Sequence, residues 1–247
     1  MDISAYVLLS REQVLNRRLE VIANNLANSS TVGFKRELPV FHEYVATTPD
    51  ALIEDARKTS FVLDYGTMHD LSQGAFQTTG NPLDVMIEGN GYLNVEGPDG
   101  TTLYTRAGYI RILNGGELAT ANGDKLLGEG GAPIVVPPEE TNKVSIAADG
   151  SVMGSTGPLG RLLITKFPNE GTLENRGNGL WSGQGGEELP AEEVRLKSGG
   201  VEGSNVQPII ETTTLIDVLR SYQNSKKMSV DLGDMRQRAI DKLGRVS

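Results

Sequence analysis

The feature that most constrains this chain is a leucine-rich stripe near its start. Leu8, Leu15, Leu19, Ile22 and Leu26 recur at spacings of seven, four, three and four, the seam of a coiled coil. The opposite edge carries Arg11, Glu12, Arg17, Arg18 and Glu20. Together they predict a helix from Ile3 to about residue 27, with Asp2 as its N-cap. The pattern stops at Asn28-Ser29-Ser30-Thr31, and Gly33 permits a turn. So narrow a stripe does not hold a helix alone, because helices in proteins draw most of their stability from packing. Something must cover it.

The other end of the chain supplies a partner. Pro208 suits the first turn of a helix, and a helical pattern runs from Ile209 to Leu243. Leu215, Leu219 and Tyr222 continue the seam, then Met228, Leu232, Met235 and Ala239 after an offset. Gly233 inside this helix weakens it by ~1 kcal/mol relative to alanine, so bending or fraying is expected there. Bringing the chain ends together gives an antiparallel helix pair, which still leaves an edge uncovered. Further copies must then pack against it. The expected assembly interface is Leu8, Leu15, Leu19, Ile22, Asn24, Asn25, Leu26, Asn28, Leu215, Leu219, Tyr222, Leu232 and Met235. The asparagines enter because amides on one helical end are costly to bury without partners. They suit an interface that bonds neighbouring backbones, or a helix end capped in series.

The middle has a different texture. Most of the 30 glycines fall between Gly66 and Gly203. Leu83, Val85 and Ile87 alternate with Asp84, Met86 and Glu88, the period of a half-buried strand. Asn90-Gly91, Asp99-Gly100, Asn114-Gly115, Asn122-Gly123 and Asp149-Gly150 offer the positive-φ residues of tight hairpins. Short strand-like runs lie between them: Tyr92 to Glu96, Thr101 to Thr105, Tyr109 to Leu113, Ile134 to Val136, Lys143 to Ala147 and Arg161 to Phe167. The expected fold class is α+β: a mainly-β central domain, antiparallel and barrel-like, flanked by N- and C-terminal helices that pair as a coiled-coil-like assembly domain. The expected domains are 1–35 with 205–247 as that helical domain, 36–75 as an extended connector with a short helix near Ala51 to Lys58, and 76–200 as the β domain. Ser198 to Asn205 reads as a breaker cluster.

Net charge and residue types narrow the function. A charge of −9 argues against a nucleic-acid partner, since phosphate binding needs a basic face. With no cysteine, disulfides, thiolate nucleophiles and zinc–thiolate sites are excluded. No apolar run approaches the ~18 residues of a membrane span, so no membrane insertion is expected. Met1-Asp2 opens no basic, apolar leader, so any export is expected without a cleaved signal peptide. His42 and His69 stand apart in the connector, with no ligand cluster, and read as surface histidines. Gly128 to Gly131 and Gly183 to Gly186 lack the lysine and strand-to-helix context of a phosphate loop and read as hairpin tips. Asp84, Asp99, Asp124 and Asp149 form no calcium ladder. Asn28-Ser29-Ser30 matches a glycosylation sequon only weakly. Trp181, the single tryptophan, is expected to anchor the β domain. Glu187-Glu188 and Glu192-Glu193 are the acid pairs on which a secreted β-scaffold enzyme would depend, but their neighbours are loop-like. No catalytic, cofactor or metal site is expected.

Three motifs carry a resemblance over nearly the whole chain. Ile22-Ala23-Asn24-Asn25-Leu26-Ala27-Asn28, followed by Thr31-Val32-Gly33-Phe34-Lys35, resembles the signature of the bacterial flagellar rod, hook and hook-associated proteins. Thr79-Gly80-Asn81-Pro82-Leu83-Asp84-Val85, with Gly89-Asn90-Gly91-Tyr92 and Tyr104-Thr105-Arg106-Ala107-Gly108, is similar to the start of their β domain. Glu202-Gly203-Ser204-Asn205-Val206-Gln207-Pro208 and Arg220-Ser221-Tyr222-Gln223 complete the match. Within that group the start, the length and the Glu202 element look most like a proximal rod protein of the flagellar basal body, with a distal rod protein as close competitor. The small residues usual early in the first helix are replaced by Leu8-Leu9-Ser10-Arg11.

The resemblance implies a structural, non-enzymatic rod subunit that transmits torque. Its partners would be copies of itself, other flagellar rod proteins and the flagellar export apparatus. It would be exported unfolded and fold at the growing tip, in the periplasmic part of the basal body, with terminal helices inside and the β domain outside. A soluble assembly factor that binds rod subunits only transiently would use the same helices.

Overall fold

A computed structural model describes residues 3–48, 57–141 and 143–244. The described residues fall into two compact units. One lies within Met1–Ala27, Glu37–Asp70 and Gln207–Ser247, the other within Asn28–Arg36 and Leu71–Val206.

The first unit contains both predicted helices, α1 (Ile3–Ala27) and α2 (Pro208–Gly244). The heptad-like stripes set the length of α1, and Pro208 starts α2 where its missing N–H costs nothing. No break or fray appears at Gly233, through which α2 runs on. Asp2, the expected cap, lies outside the described residues.

The stretch expected to be an extended connector is instead a hairpin of two long antiparallel strands, β1 (Glu37–Thr48) and β2 (Arg57–His69). Arg57 and Lys58, placed in a short helix by their sequence, are strand; Ala51 to Ala56 lie outside the described residues. The register slips once, with Val40 opposite Gly66 and Phe41 opposite Asp64, so Tyr65 is the extra residue of a bulge. Pro39 sits in β1, on a two-stranded ribbon whose outer edges need no donor.

The ribbon is fastened to α1 at three places. Ser10 Oγ donates to the Val62 carbonyl (3.2 Å) and accepts from the Val62 N–H (3.1 Å). Arg17 pairs with Asp64 at 3.3 Å. Asn25 donates to the Glu37 carbonyl (2.9 Å) and accepts from the Glu37 N–H (2.8 Å). Two isolated strands are marginal in water; here a helix backs them.

The second unit is the β body, and every strand pair described in it is antiparallel. Its strands begin with β3 (Phe76–Thr78), β4 (Val85–Ile87), β5 (Tyr92–Glu96), β6 (Thr102–Thr105), β7 (Ile110–Ile112), β8 (Leu118–Thr120) and β9 (Lys125–Leu126). The main sheet runs as an open path, Glu174–Gly177, Leu180–Ser182, β6, β5, β9, β8, β7, with Ile164–Lys166 also pairing with β5. Ser145–Ile146, Ser151–Met153 and Pro158–Arg161 make a smaller sheet. A continuous apolar core includes Val85, Leu93, Val95, Leu118, Leu126, Leu162 and Ile164.

Expectation and structure differ in instructive ways. β4 is buried at all three residues rather than on one face. Positive φ occurs at Gly100, Gly123 and Gly150 as expected, but at Gly89 rather than Gly91 and at Gly116 rather than Gly115. Trp181 is buried beside Tyr92, Phe167 and Leu173. The breaker cluster is not a loop. It contains the strand Gly200–Glu202, paired with β3.

Candidate functional site

Two places gather residues singled out in the sequence. The first is the helix pair. Leu15, Ile22 and Val218 are buried together, with Leu19, Leu215 and Tyr222 half-buried around them. Glu12, just before this cluster on α1, pairs with Lys226, just after it on α2, at 3.5 Å. A residue preceding the cluster on one helix thus meets one following it on the other, so the helices run antiparallel. Ser225 is also buried there.

Of the expected interface, Leu8, Leu26, Asn28 and Leu232 are half-buried. The periodicity places Leu219 and Met235 on the seam, yet they point away from the cluster and are 42% and 59% exposed. Val218 takes the place of Leu219. Adjacent helix positions lie about 100° apart, and Leu215, Val218 and Tyr222, three and four apart, make the better stripe against α1. That signal was present in the sequence but outweighed by the leucine. The asparagines do not act as one group. Asn24 is exposed. Asn25 is buried and directs its amide to the backbone of Glu37 in the same chain. Asn28 accepts from the Thr31 hydroxyl at 3.2 Å.

The second place, inside the β body, holds residues from all three motifs. Lys35, Arg106 and Glu202 have side chains only 1%, 3% and 1% exposed. Lys35 Nζ donates to Glu202 Oε1 at 2.6 Å and to the Ser72 carbonyl at 2.8 Å. The same Oε1 accepts from the Gly74 N–H at 2.9 Å, while Arg106 reaches Oε2 at 3.4 Å. The Arg106 guanidinium also lies 4.9 Å from the centre of the Tyr92 ring, within cation–π range. Burial holds the Lys35 ammonium below the ordinary lysine range, against the pull of Glu202. Burial, with the charge of Glu170, pushes the Tyr92 phenol up to about 12.

The backbone around this knot is fitted as closely as the charges. The Gly33 N–H donates to the Glu202 carbonyl at 2.8 Å. Gly33 has φ +68°, and a Cβ there would come within 2.8 Å of the Arg106 carbonyl carbon. A Cβ on Gly74 would overlap the carbonyl oxygen of Gly203. Asn205 ties the same strands together. It accepts from the Arg36 N–H (2.7 Å) and donates to the Ser72 carbonyl (3.0 Å), while its own N–H reaches the Phe34 carbonyl (3.4 Å). Nearby, Asp84 accepts from Thr79 Oγ1 (2.6 Å) and Asn81 Nδ2 (2.8 Å), which is turn chemistry rather than a cation site.

The knot has the wrong character for catalysis. Its charged groups are sealed and already paired, so no substrate atom can reach them. Elsewhere, no group of three or more acidic or histidine side chains is placed to hold a metal ion among the described residues. No described helix is long and apolar enough to cross a membrane. Glu187 and Glu188 lie exposed in a two-residue strand, and Glu192 and Glu193 are exposed as well.

Comparison with known families finds three matches along the chain. Residues 6–35 match the family described as "Flagella basal body rod protein". Residues 86–154 match "Flagellar hook protein FlgE/F/G D1 domain", and residues 197–242 match "Flagellar basal body rod FlgEFG protein C-terminal". The chain is 32% identical to the flagellar basal-body rod protein FlgF of Caulobacter vibrioides, over 100% of both chains. It is 33% identical to the FlgF protein of Salmonella typhimurium, covering 97% of each. With the FlgG protein of Bacillus subtilis it shares 32% identity over 96% of this chain and 98% of that one.

Proposed function

This chain belongs to the family of flagellar basal-body rod proteins, and on that premise we propose that it is a structural axial subunit of the rod, of the proximal, FlgF type, held to its neighbours by its terminal helices. It is not an enzyme. Its work is mechanical: to carry torque through packed helices while the β body faces outward. The partners in this reading are further copies of the chain and other rod proteins, reached through the flagellar export apparatus.

One observation carries the reading. The helix pair buries a single small cluster and leaves many other apolar side chains of α2 in solvent: Ile209, Ile216, Leu219, Met235, Ile240 and Leu243 are 42–83% exposed. An apolar array on that scale marks an interaction surface. Leu8, Leu26, Leu219, Leu232 and Met235 belong to that surface rather than to the fold of the single chain. The experiment replaces Leu219 and Met235 together with glutamate. The isolated protein should melt within about 0.5 kcal/mol of the original, as surface changes do. Cells carrying it as their only copy should be non-motile, with basal bodies lacking a complete rod. Normal swimming would refute the assignment of these residues.

A further inference from the structure

We propose that the Lys35–Glu202–Arg106 knot is a completion latch: segments 28–36 and 71–78 close onto the β body only when the Gly200–Glu202 strand delivers its carboxylate. The inference concerns the folding of the single chain and does not depend on the rod reading.

The argument begins with charge. Lys35 and Arg106 are cations buried against the same carboxylate, whose two oxygens are divided between them. Remove Glu202 and the site holds two like charges without water or counter-ion. A buried charge that has lost its partner is strongly unfavourable, and repulsion adds to it. The perturbation of Lys35 has the matching sign: Arg106 reinforces burial in lowering its proton affinity, and Glu202 opposes both. The pocket therefore does not close around the cations alone.

Sequence position turns this into an order of events. Glu202 follows Lys35 by 167 residues and Arg106 by 96. A chain that emerges amino end first displays both cations before the carboxylate exists. The strand that brings Glu202 also accepts the Gly33 N–H and pairs with β3, so one strand gathers two segments, of which 71–78 has a further tie to the body where the Gln73 amide donates to the Ile87 carbonyl at 2.6 Å. Meanwhile the apolar clusters of the body contain no residue from 28–36, 71–78 or 199–206. The body can bury its core without the latch, and the latch cannot close without the body, since Arg106 and Tyr92 belong to it. A chain still lacking its Gly200–Glu202 strand thus has a formed body and loose segments at 28–36 and 71–78.

Hydrogen–deuterium exchange on the full-length chain tests this with Glu202→Gln, nearly the same shape without the charge. Peptides covering 28–36, 71–78 and 199–206 should exchange about tenfold faster or more, while those covering β5, β8 and Ile164–Lys166 stay unchanged. Lys35→Met, which leaves Glu202 balanced by Arg106, should loosen the same peptides far less. Pulse labelling during refolding of the original chain should protect body amides before those of the three segments. Three results would each overturn the proposal: unchanged exchange in Glu202→Gln, equal loosening in Lys35→Met, or loss of protection throughout the body. Simultaneous protection of segments and body during refolding would overturn it as well.

Discussion

The β body and the helical unit solve the problem of burial in opposite ways. In the body, Leu93, Val95, Leu118, Leu126 and Ile164 are nearly inaccessible, and the buried charges of Lys35, Arg106 and Glu202 are paired within the chain. In the helical unit the cluster is Leu15, Ile22 and Val218 with three half-buried neighbours, while α2 leaves many of its other apolar residues in solvent. One region is a finished fold, and the other is the part proposed above to meet neighbouring molecules. A filament subunit needs both, because a body that is complete in itself keeps its shape while the helices exchange solvent for neighbours.

The contrast is sharpest where a cavity is cut. Leu126→Ala in the body should cost about 2–5 kcal/mol, the range for large-to-small core changes, seen as a lower midpoint in denaturant. If the body tolerated it, the claim of a self-sufficient core would fail. Next in size is Gly33→Ala, which forces a side chain into a left-handed backbone against Arg106. Strain of this kind costs of order 1–3 kcal/mol, and it should speed exchange in segment 28–36 while the main sheet keeps its protection. Val218→Ala removes the buried centre of the helix pair and should cost about 1–2 kcal/mol of local stability. Amides of α1 and α2 near Leu15 and Leu215 should then exchange faster, with those of the body unaffected. A global loss instead would mean that the helices and the body unfold together.

The phenol of Tyr92 offers a gentler probe of how sealed the body is. Its folded-state value, about 12, lies above the ordinary phenol value of 10.0. Its contribution is therefore fully present below pH 10 and is lost as pH rises from 10 to 12, because the unfolded chain releases that proton first. Ultraviolet titration should show a late ionisation step at about pH 12, and Tyr92→Phe should abolish that step. The smallest effect belongs to the exposed array: the double glutamate variant at Leu219 and Met235 should leave the stability of the isolated chain almost untouched while removing assembly.

Much of the fold could be read from local pattern. The helices over Ile3–Ala27 and Pro208–Gly244 follow from stripes of leucine with a proline at the right end, and the β texture follows from short apolar runs between glycine turns. The reading failed where two signals of equal local strength competed. Residues 37–48 and 57–69 mix proline, glycine and aromatics without a clean period, and only pairing across the ribbon, supported by α1, makes them strands. At the helix pair, Leu219 outranks Val218 by size, but the angular position of Val218 brings it against α1.

What the amino-acid order determined alone is the two helices, the β texture of the middle and the family, because periodicity and motif are properties of neighbouring residues. What tertiary structure decided is which charges meet. Lys35, Arg106 and Glu202 each stand in a glycine-flanked motif and look, one at a time, like ordinary surface residues. Their meeting depends on two loop segments and a strand arriving at one place, and an ion pair spanning 167 residues leaves no period to detect. Burial then changes the physics: a carboxylate that contributes little in water becomes, once enclosed with two cations, the group on which closure depends.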